Sequence, residues 1–406
     1  MLARRLFLED FRSYASLDLE LAPGVTVLVG PNGVGKTNVL EALVLLAWGS
    51  SPRAVDDRDL VRWGAPHARV RAEVARLEGD PAPTRMPSDS AREGGARDDG
   101  HSRSSPGQRR LEAMLFVTAE GERRRQKRFW VDGAAKRQPE LAGELRVVAF
   151  FPEEVSLLCE APAARRRYLD ALIGQVDRRY RRDVLDLRRV LEQRNALLRR
   201  AREEGFVPSD EELAFWDLEL TRLGGAVASR RGRVTAEVAP FFATAHARLA
   251  GATREINASY ACQVEHGPPE EMSAAYQQLL RTRRQQEVWQ GATLVGPHRD
   301  DLKISSAGRA LPTYASRGEQ RTAVIALKLA EAAWIVEQTA EQPLFLLDDV
   351  LSELDPGRRE RLISEVPGSA QTLLTASAPG ALPASLLRSG GTRLDVVPGE
   401  VHAASR

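Results

Sequence analysis

Residues 30–37 read GPNGVGKT, and they constrain the fold of this chain more than any other stretch. They match the pattern G-x-x-x-x-G-K-[ST], in which glycines allow backbone amides to turn toward phosphate groups. The apolar run VTVLVG precedes the pattern and the helical pattern NVLEALVLLAW follows it, which is the strand, loop and helix order of a phosphate-binding loop. We therefore predict such a loop in an α/β domain. The alternative is a glycine-rich turn that binds nothing.

The residue types of this loop predict their roles. Lys36 is expected to reach the β- and γ-phosphates of a nucleotide and to act in catalysis, and the Thr37 hydroxyl is expected to ligate Mg²⁺. The N-terminus of the following helix adds a partial positive charge. The predicted nucleotide-binding residues in and beside the loop are Gly30, Pro31, Asn32, Gly33, Val34, Gly35, Lys36, Thr37 and Asn38.

A second constellation lies far downstream, in PLFLLDDVLSELD at residues 343–355. If a buried strand ends in two carboxylates, these must lie beside a cation or water, because unpaired buried charges are costly. We expect Asp348 to ligate Mg²⁺ and Asp349 to polarise the attacking water. The alternative is that these carboxylates form an ordinary helix N-cap.

A third element, residues 314–338, begins with a short polar segment and continues as a long amphipathic helix. A hydroxyl, flexible backbone amides and a helix dipole together predict a second surface for an anion. Its residues are Ser316, Arg317, Gly318, Glu319 and Gln320. The alternative is an ordinary capped helix start.

The order of apolar patterns predicts an α/β fold at both chain ends with a helical lobe between them. We expect residues 1–162 and 291–406 to form one head, in which ATLVGPHRDDLKISSAG is strand-like, and residues 163–290 to form the lobe. Residues 79–110 are rich in Pro, Gly, Ser and charge, which predicts a disordered insertion.

The charge distribution favours a local contact with nucleic acid. The 406 residues carry a net charge of only +2, yet residues 165–202 contain thirteen arginines and five acidic residues. Arginine forks suit phosphate oxygens, so we expect duplex DNA to bind here, with Arg165, Arg166 and Arg167 as candidate contacts. The alternative is a solvated helix face. Few aromatic residues interrupt the interval, so base stacking on single strands is not indicated.

Two cysteines without metal-ligand spacing favour a reducing compartment. No stretch has the apolar length of a membrane span or a signal peptide, so we expect a cytoplasmic chain that does not contact membranes. His298 has no cysteine or carboxylate partners at ligand spacing, which favours a structural role over metal binding.

Taken together, these motifs resemble the ATP-binding-cassette heads of the SMC and RecF branch. The finer resemblance is to the RecF family of bacterial recombination mediators, and it extends from end to end of the chain. The segments that carry it are DFRSY (10–14), GPNGVGKTNVLEAL (30–43), FFPEEVSLLCEAPAARRRYLD (150–170), VGPHRDDL (295–302), SRGEQRTAVIALKLAE (316–331) and LLDDVLSELD (346–355).

The resemblance implies an ABC-type ATPase that uses ATP and Mg²⁺ and forms an ATP-dependent homodimer. Ser316 and Gly318 of one head would close on the nucleotide held by Lys36 of the other, and Asp355 would lie across the interface. Arg12 would lie near the nucleotide, and Glu153 would occupy the place of the glutamine loop.

The same resemblance implies binding to DNA, as a duplex or at single/double-strand junctions. The partners would be RecR and RecO, and the family helps to load the RecA recombinase. Slow hydrolysis would then serve as a switch rather than as metabolism.

The chain departs from the family pattern in two places, and two other classes of protein remain as alternatives. Arg317 and Glu319 stand where other polar residues are more usual, and the strand at 371–377 ends without a switch histidine, for which Thr375 or Ser377 could substitute. A transporter cassette subunit would have its signature much closer to the phosphate loop. A nuclease-associated ATPase would need a nuclease domain, for which little sequence is left.

Overall fold

The chain folds into two units, each assembled from separate segments. In the computed structural model, the described residues are 1–54, 56–76, 107–117, 127–158, 160–251, 255–378, 386 and 391–403. The first, here called the sheet unit, comprises Met1–Val147, Ile335–Asp348 and Pro367–Arg406. The second, the helical unit, comprises Val148–Trp334 and Asp349–Val366.

The strands, in chain order, are β1 (Leu2–Phe11), β2 (Tyr14–Glu20), β3 (Val25–Val29), β4 (His67–Ala75), β5 (Gln108–Phe116), β6 (Lys127–Val131), β7 (Ala134–Lys136), β8 (Val147–Phe150), β9 (Ile256–Ala261), β10 (Asp301–Ser306), β11 (Arg309–Ala310), β12 (Leu344–Leu347), β13 (Thr372–Ala376), β14 (Thr392–Val397) and β15 (Glu400–Ala403). The helices are α1 (Lys36–Trp48), α2 (Pro162–Gly174), α3 (Arg178–Glu204), α4 (Asp210–Ala250), α5 (Pro269–Gln290), α6 (Leu311–Tyr314), α7 (Arg317–Thr339) and α8 (Pro356–Glu365). Short 3₁₀ turns cover Asp57–Leu60, Gln138–Leu141, Pro152–Leu158 and Val350–Glu353.

One sheet of the sheet unit is antiparallel, in the order β2–β1–β4–β5–β6–β7. Its strands alternate apolar and polar residues; in β2, for example, Leu17 and Leu19 are buried and their neighbours are exposed. Such alternation is typical of a sheet that packs one face on a core.

The other sheet of this unit has the order β15–β14–β3–β13–β12, and all of its pairs except β14 with β15 are parallel. Strands β12 and β13 are buried along their whole length, as expected for parallel strands with both faces covered. The carboxyl ends of parallel strands meet at one edge of a sheet. That edge therefore collects the phosphate loop after β3, Asp348 after β12 and the end of β13.

Long helices dominate the helical unit. Helix α3 is capped at its N-terminus by Asp177, whose side chain accepts a hydrogen bond from the Tyr180 amide, and at its C-terminus by Gly205. Helix α4 has 41 residues and begins with a capping box between Ser209 and Glu212. Sequence signals for caps thus fix the helix ends. A small antiparallel sheet in the order β11–β10–β9 completes the unit.

Two predictions about local structure need correction. The strand expected over residues 292–308 is only β10, because Gly296, with φ at 127°, and the Arg299 amide bonded to its carbonyl form a turn first. Residues 108–110 are not part of an insertion, because they pair with Glu73, Val74 and Ala75 in the antiparallel sheet. The rest of that expected insertion, 79–106, lies outside the described residues.

The two units do not follow the predicted division at residues 162 and 290. The helical unit begins at Val148 and extends to Trp334, so it includes the GPHRDD segment and most of α7. Among the described residues, every helix is too short or too polar to span a lipid bilayer.

Candidate nucleotide-binding site

The phosphate loop joins β3 to α1 with two glycines that no other residue could replace without strain. A Cβ at Gly30 would lie 2.3 Å from the Val396 carbonyl oxygen, so β14 leaves no room for a side chain there. At Gly35 φ is 113°, and a Cβ would lie 2.7 Å from Ser13 Oγ. The close approach and the left-handed backbone both require glycine. The loop is thus shaped to present backbone amides at the start of α1.

Lys36 places its charge on this loop. Its Nζ donates hydrogen bonds to the carbonyl oxygens of Gly30 at 2.6 Å and Pro31 at 2.8 Å, and the residue is 6% exposed. The carbonyl acceptors hold the ammonium group against the cradle that the amides form. This is the position from which a P-loop lysine meets phosphates.

Three oxygen-bearing side chains meet at the carboxyl edge of the parallel sheet. The Thr37 hydroxyl donates to the Asp348 carboxylate, 2.8 Å from Oδ2, and the Thr375 hydroxyl donates to Oδ1 at 2.7 Å. Asp348 is 4% exposed, so these hydroxyls stabilise a carboxylate that is otherwise largely removed from water. A hydroxyl and a carboxylate are hard oxygen ligands, and their pairing fits the donor set of a nucleotide-bound Mg²⁺. Of the two candidates for the missing histidine, Thr375 is the one in contact with Asp348, and Ser377 is exposed.

Asp349, the next residue along the chain, is the first residue of the second segment of the helical unit and has a left-handed conformation with φ at 48°. Its carbonyl oxygen accepts hydrogen bonds from the amide and the hydroxyl of Ser352, which starts the 3₁₀ turn Val350–Glu353. Its side chain forms no N-cap hydrogen bond, which weighs against the N-cap alternative for this carboxylate. A water-polarising role for Asp349 stays a prediction.

The turn between β1 and β2 forms a wall beside the phosphate loop. The Tyr14 hydroxyl donates to the Gly35 carbonyl oxygen at 3.2 Å, and the Asn38 amide donates to Ser13 Oγ at 2.9 Å. Burial raises the pKa of Tyr14 to about 12, so this hydroxyl remains a donor at neutral pH. The turn is therefore fixed to the start of α1 by two side-chain hydrogen bonds.

Arg12 in this turn contacts α1 rather than open solvent. Its guanidinium donates two hydrogen bonds to the Glu41 carboxylate, at 2.7 and 2.9 Å, and a third to the Asp59 carbonyl oxygen at 2.8 Å. Glu41 is fully buried and also accepts a hydrogen bond from the Ser51 hydroxyl. Glu41 was not among the predicted site residues, although a single carboxylate in the apolar run NVLEALVLLAW signals a buried charge that needs a partner.

In the helical unit, residues 316–320, here called the signature segment, form a capped helix start. Ser316 Oγ accepts a hydrogen bond from the Glu319 amide at 3.3 Å, while the Glu319 carboxylate accepts one from the Ser316 amide at 2.8 Å. The Gln320 side chain donates to the carbonyl oxygens of Pro312 and Ala315. These hydrogen bonds form a capping box, as expected from the alternative of an ordinary capped helix start. The box leaves Ser316 and Arg317 exposed at the helix N-terminus.

Asp355 also caps a helix. Its carboxylate accepts a hydrogen bond from the Arg358 amide at 3.0 Å at the start of α8, and that bond lowers the pKa of the carboxyl group. The Arg358 guanidinium lies 3.3 Å from the position of a Cβ at Gly318. The structure thus brings α8 and the signature segment together within the helical unit.

The two glutamates of the FPEE segment have different surroundings. Glu153 is exposed in the 3₁₀ turn Pro152–Leu158, whereas the Glu154 carboxylate lies 2.9 Å from Lys328 Nζ on α7. Lys328 also lies 3.4 Å from Glu331, and both residues are nearly inaccessible to solvent. A lysine and a glutamate at i and i+3 inside an apolar helix were the signal for this buried cluster.

The candidate DNA contacts Arg165 and Arg166 are wrong in this structure, because both bind within the helical unit. Arg165 donates two hydrogen bonds to the Asp301 carboxylate and others to the carbonyl oxygens of residues 157, 158 and 160. Arg166 donates to the Asp300 carbonyl oxygen, and burial lowers its pKa. Only Arg167 of the three is exposed.

His298 has the hydrogen-bonding role expected of it. Its Nε2 lies 3.0 Å from the Thr293 carbonyl oxygen, and burial lowers its pKa to about 4, so the ring is neutral. Among the described residues, His, Cys, Asp and Glu side chains form no group of three that could hold a metal ion.

Comparison with known proteins relates almost the whole chain to one family. The family model of the RecF/RecN/SMC N-terminal domain matches residues 2–380. The DNA replication and repair protein RecF of Chloroflexus aurantiacus is 39% identical, and that of Roseiflexus castenholzii is 40% identical, each over 93% of this chain and 93% of the relative.

Solved structures agree as well. The recombination mediator protein RecF of the RecFOR pathway, in its ATP-bound form, superposes with a TM-score of 0.82 at 26% identity over 99% of this chain and 97% of that one. An SMC head bound to the winged-helix domain of ScpA, with a TM-score of 0.52 at 14% identity over 100% of this chain and 98% of that one, shares the fold alone. An α/β head with a P-loop, a downstream Asp348 and end-to-end similarity lead to one conclusion: the chain belongs to the RecF family, within the RecF/RecN/SMC group of ATPase heads.

Proposed function

We propose that this chain is an ATP-dependent DNA-binding protein of recombinational repair, which pairs with a second copy of itself when ATP binds. The observation that carries the proposal is the meeting of Thr37, Asp348 and Thr375 oxygens beside the phosphate loop. The curated relatives are named DNA replication and repair proteins, and a solved relative holds ATP. Both support the assignment.

Each residue of the site has a physical task in this proposal. Lys36 and the amides of residues 30–37 bind the phosphates, because cations and oriented N–H groups lower the cost of desolvating an anion. Thr37 and Asp348 would hold Mg²⁺, which neutralises charge on the β- and γ-phosphate oxygens. Asp349 would orient and polarise the attacking water. Glu41 holds Arg12 in the turn beside the loop, so that its charge is fixed before nucleotide arrives.

The signature segment is proposed to act on the nucleotide of the second copy. Ser316 and Arg317 are exposed, and an exposed helix N-terminus is a favourable position for an anion. The Ser316 hydroxyl also donates to the Glu319 carboxylate at 3.0 Å, and a phosphate oxygen can replace that carboxylate as the acceptor. Asp355, exposed at the start of α8, would lie at the same interface.

Duplex DNA, including single/double-strand junctions, is the proposed substrate of the pair, and hydrolysis is proposed to be slow and to act as a switch. The pathway named for the solved relatives includes RecO and RecR, which are the proposed protein partners in loading the RecA recombinase. Nothing among the described residues favours a transporter or nuclease-associated role over this one.

Sedimentation velocity with and without ATP tests the proposal. The wild-type chain is expected to change from monomer to dimer on addition of ATP and Mg²⁺, and the dimer is expected to bind a short DNA duplex. Lys36→Arg should bind ATP and hydrolyse it poorly, because a planar guanidinium does not replace a point charge in this loop. A chain that stays monomeric at saturating ATP, as shown by direct nucleotide binding, would contradict the proposal.

A further inference from the structure

Helix α3 presents a row of arginines on its exposed side. The helix contains ten arginines and five acidic residues. Arg181 and Arg194 are buried, and the other eight arginines are exposed. The three exposed acidic residues are Glu192, Glu203 and Glu204, so the exposed side of the helix carries a clear positive excess.

The helical repeat sorts these arginines by direction. Residues 178, 182, 189 and 200 are separated by 4, 7 and 11 residues, which are whole turns or pairs and triples of turns in an α-helix. The buried positions Leu187, Leu198 and Ala201 lie on the opposite side. Gln193 and Ala196, also exposed, fill the gap in the row. We call Arg178, Arg182, Arg189 and Arg200 the α3 row.

The salt bridges within the row are weak. Arg189 lies 2.9 Å from Asp186, with side chains 76% and 39% exposed, and Arg200 lies 3.0 Å from Glu204, with side chains 65% and 55% exposed. Exposed pairs three or four residues apart stabilise a helix little, because water screens both charges. A polyanion can therefore displace these carboxylates at small cost.

The length of the row selects among anions. From Arg178 to Arg200 the helix rises about 33 Å at 1.5 Å per residue, which is about one turn of a B-form duplex. A nucleotide would reach at most two of the four side chains, Arg178 and Arg182, which are one turn apart. The only aromatic residue in α3 is Tyr180, which is buried, so the row offers no platform for unstacked bases.

We propose that the α3 row binds the phosphate backbone of duplex DNA. The inference rests on the proposed function for the presence of DNA and adds the surface that holds it. Backbone contacts of this kind carry no sequence information, so binding through the row is independent of base sequence. The α3 row takes the place of Arg165 and Arg166 as the candidate DNA contact, because the guanidinium groups of those two residues bind inside the helical unit.

Salt titration of duplex binding by the ATP-loaded protein tests the row. Each phosphate neutralised by an arginine contributes about 0.9 to the slope of log K against log salt. The variant with Arg178, Arg182, Arg189 and Arg200 changed to Gln is expected to lose about 3 to 4 from that slope, and about 100-fold or more in affinity near 0.1 M salt. The double variant R178Q/R182Q is expected to lose about half as much slope.

A control variant with the same change in net charge carries Gln at four exposed arginines of α4 and α5, namely Arg233, Arg248, Arg281 and Arg283. It is expected to retain the wild-type slope to within about 1. Equal losses in the row and control variants, or an unchanged slope in the row variants, would overturn the inference. A wild-type chain that dimerises with ATP and binds no duplex would overturn the row and leave nucleotide-driven pairing intact.

Discussion

Thr375 contributes one of the two hydroxyls that contact the Asp348 carboxylate. Its Oγ1 lies 2.7 Å from Oδ1 and is buried, whereas Ser377, two residues on, is exposed. A hydrogen bond to a charged group contributes about 1.5 to 3 kcal/mol, and its loss lets the carboxylate move. The orientation of Asp348 therefore depends on Thr375.

Replacement of Thr375 by Val is expected to lower ATP turnover about 10- to 100-fold while ATP affinity changes little, since the phosphate loop is untouched. Steady-state hydrolysis and equilibrium nucleotide binding measure the two quantities. Ser377→Ala is the matched control and should retain wild-type turnover. If Ser377→Ala lost turnover and Thr375→Val kept it, the assignment of Thr375 would be wrong.

For single residues, the sequence predicts the positions of side chains that belong to a motif. It does not predict contacts with side chains from distant parts of the chain. Lys36, Thr37 and Asp348 lie where the motifs place them. Glu41 as the partner of Arg12 could not be predicted, because their pairing depends on how the β1–β2 turn packs on α1. Arg165 failed for the same reason, since its partner Asp301 is 136 residues away.

Among the elements, helix α7 is anchored by a buried charge cluster. Lys328 on α7 lies between Glu154 of the turn Pro152–Leu158 and Glu331 on α7 itself, and its Nζ lies 5.0 Å from the centre of the Tyr168 ring on α2. One lysine faces two carboxylates in a site with almost no water. Burial, opposed in part by Lys328, raises the pKa of Glu331 from 4.5 to about 7.

This pKa makes the stability of the helical unit depend on pH. Between the unfolded pKa of 4.5 and about 7, the folded chain holds a proton on Glu331 that the unfolded chain has released. The resulting stabilisation is therefore complete below about pH 4.5 and is lost as the pH rises through about 7. This loss of stability with rising pH is opposite in sign to the effect of a carboxylate that is stabilised by exposed arginines.

Glu331→Gln is expected to remove this dependence. Relative to the variant, the wild-type free energy of unfolding should fall on the order of 1 to 3 kcal/mol between about pH 5 and pH 8. Urea denaturation at both pH values measures the difference. Glu337→Gln, at an exposed position of the same helix, should follow the wild type. Identical pH profiles for wild type and Glu331→Gln would contradict the prediction.

Helices and their ends were the most predictable elements, because caps and apolar periodicity are local signals. α3 and α4 have the N-caps Asp177 and Ser209 and the C-caps Gly205 and Gly251. The segment 292–300 was misassigned because its apolar residues are buried by packing, not by strand pairing; Val295, for example, is 1% exposed. Composition alone also extended the expected insertion into β5.

On the scale of the whole molecule, each chain carries a phosphate loop in its sheet unit and a signature segment in its helical unit. Both were expected in one head, because the order of motifs along the chain does not show how the segments divide between the units. What the sequence cannot specify is which chain's signature segment serves which loop, because both arrangements have the same motifs. The proposed pairing in trans is the central claim about function.

Complementation between two inactive variants tests that claim most directly. Lys36→Ala loses the phosphate-binding ammonium and Ser316→Arg blocks the signature segment, so each variant alone should hydrolyse no ATP above background. In an equal mixture, half of the dimers are mixed and each of those has one intact composite site, so turnover should return to roughly a quarter of the wild-type value. A mixture as inactive as its two components would contradict pairing in trans.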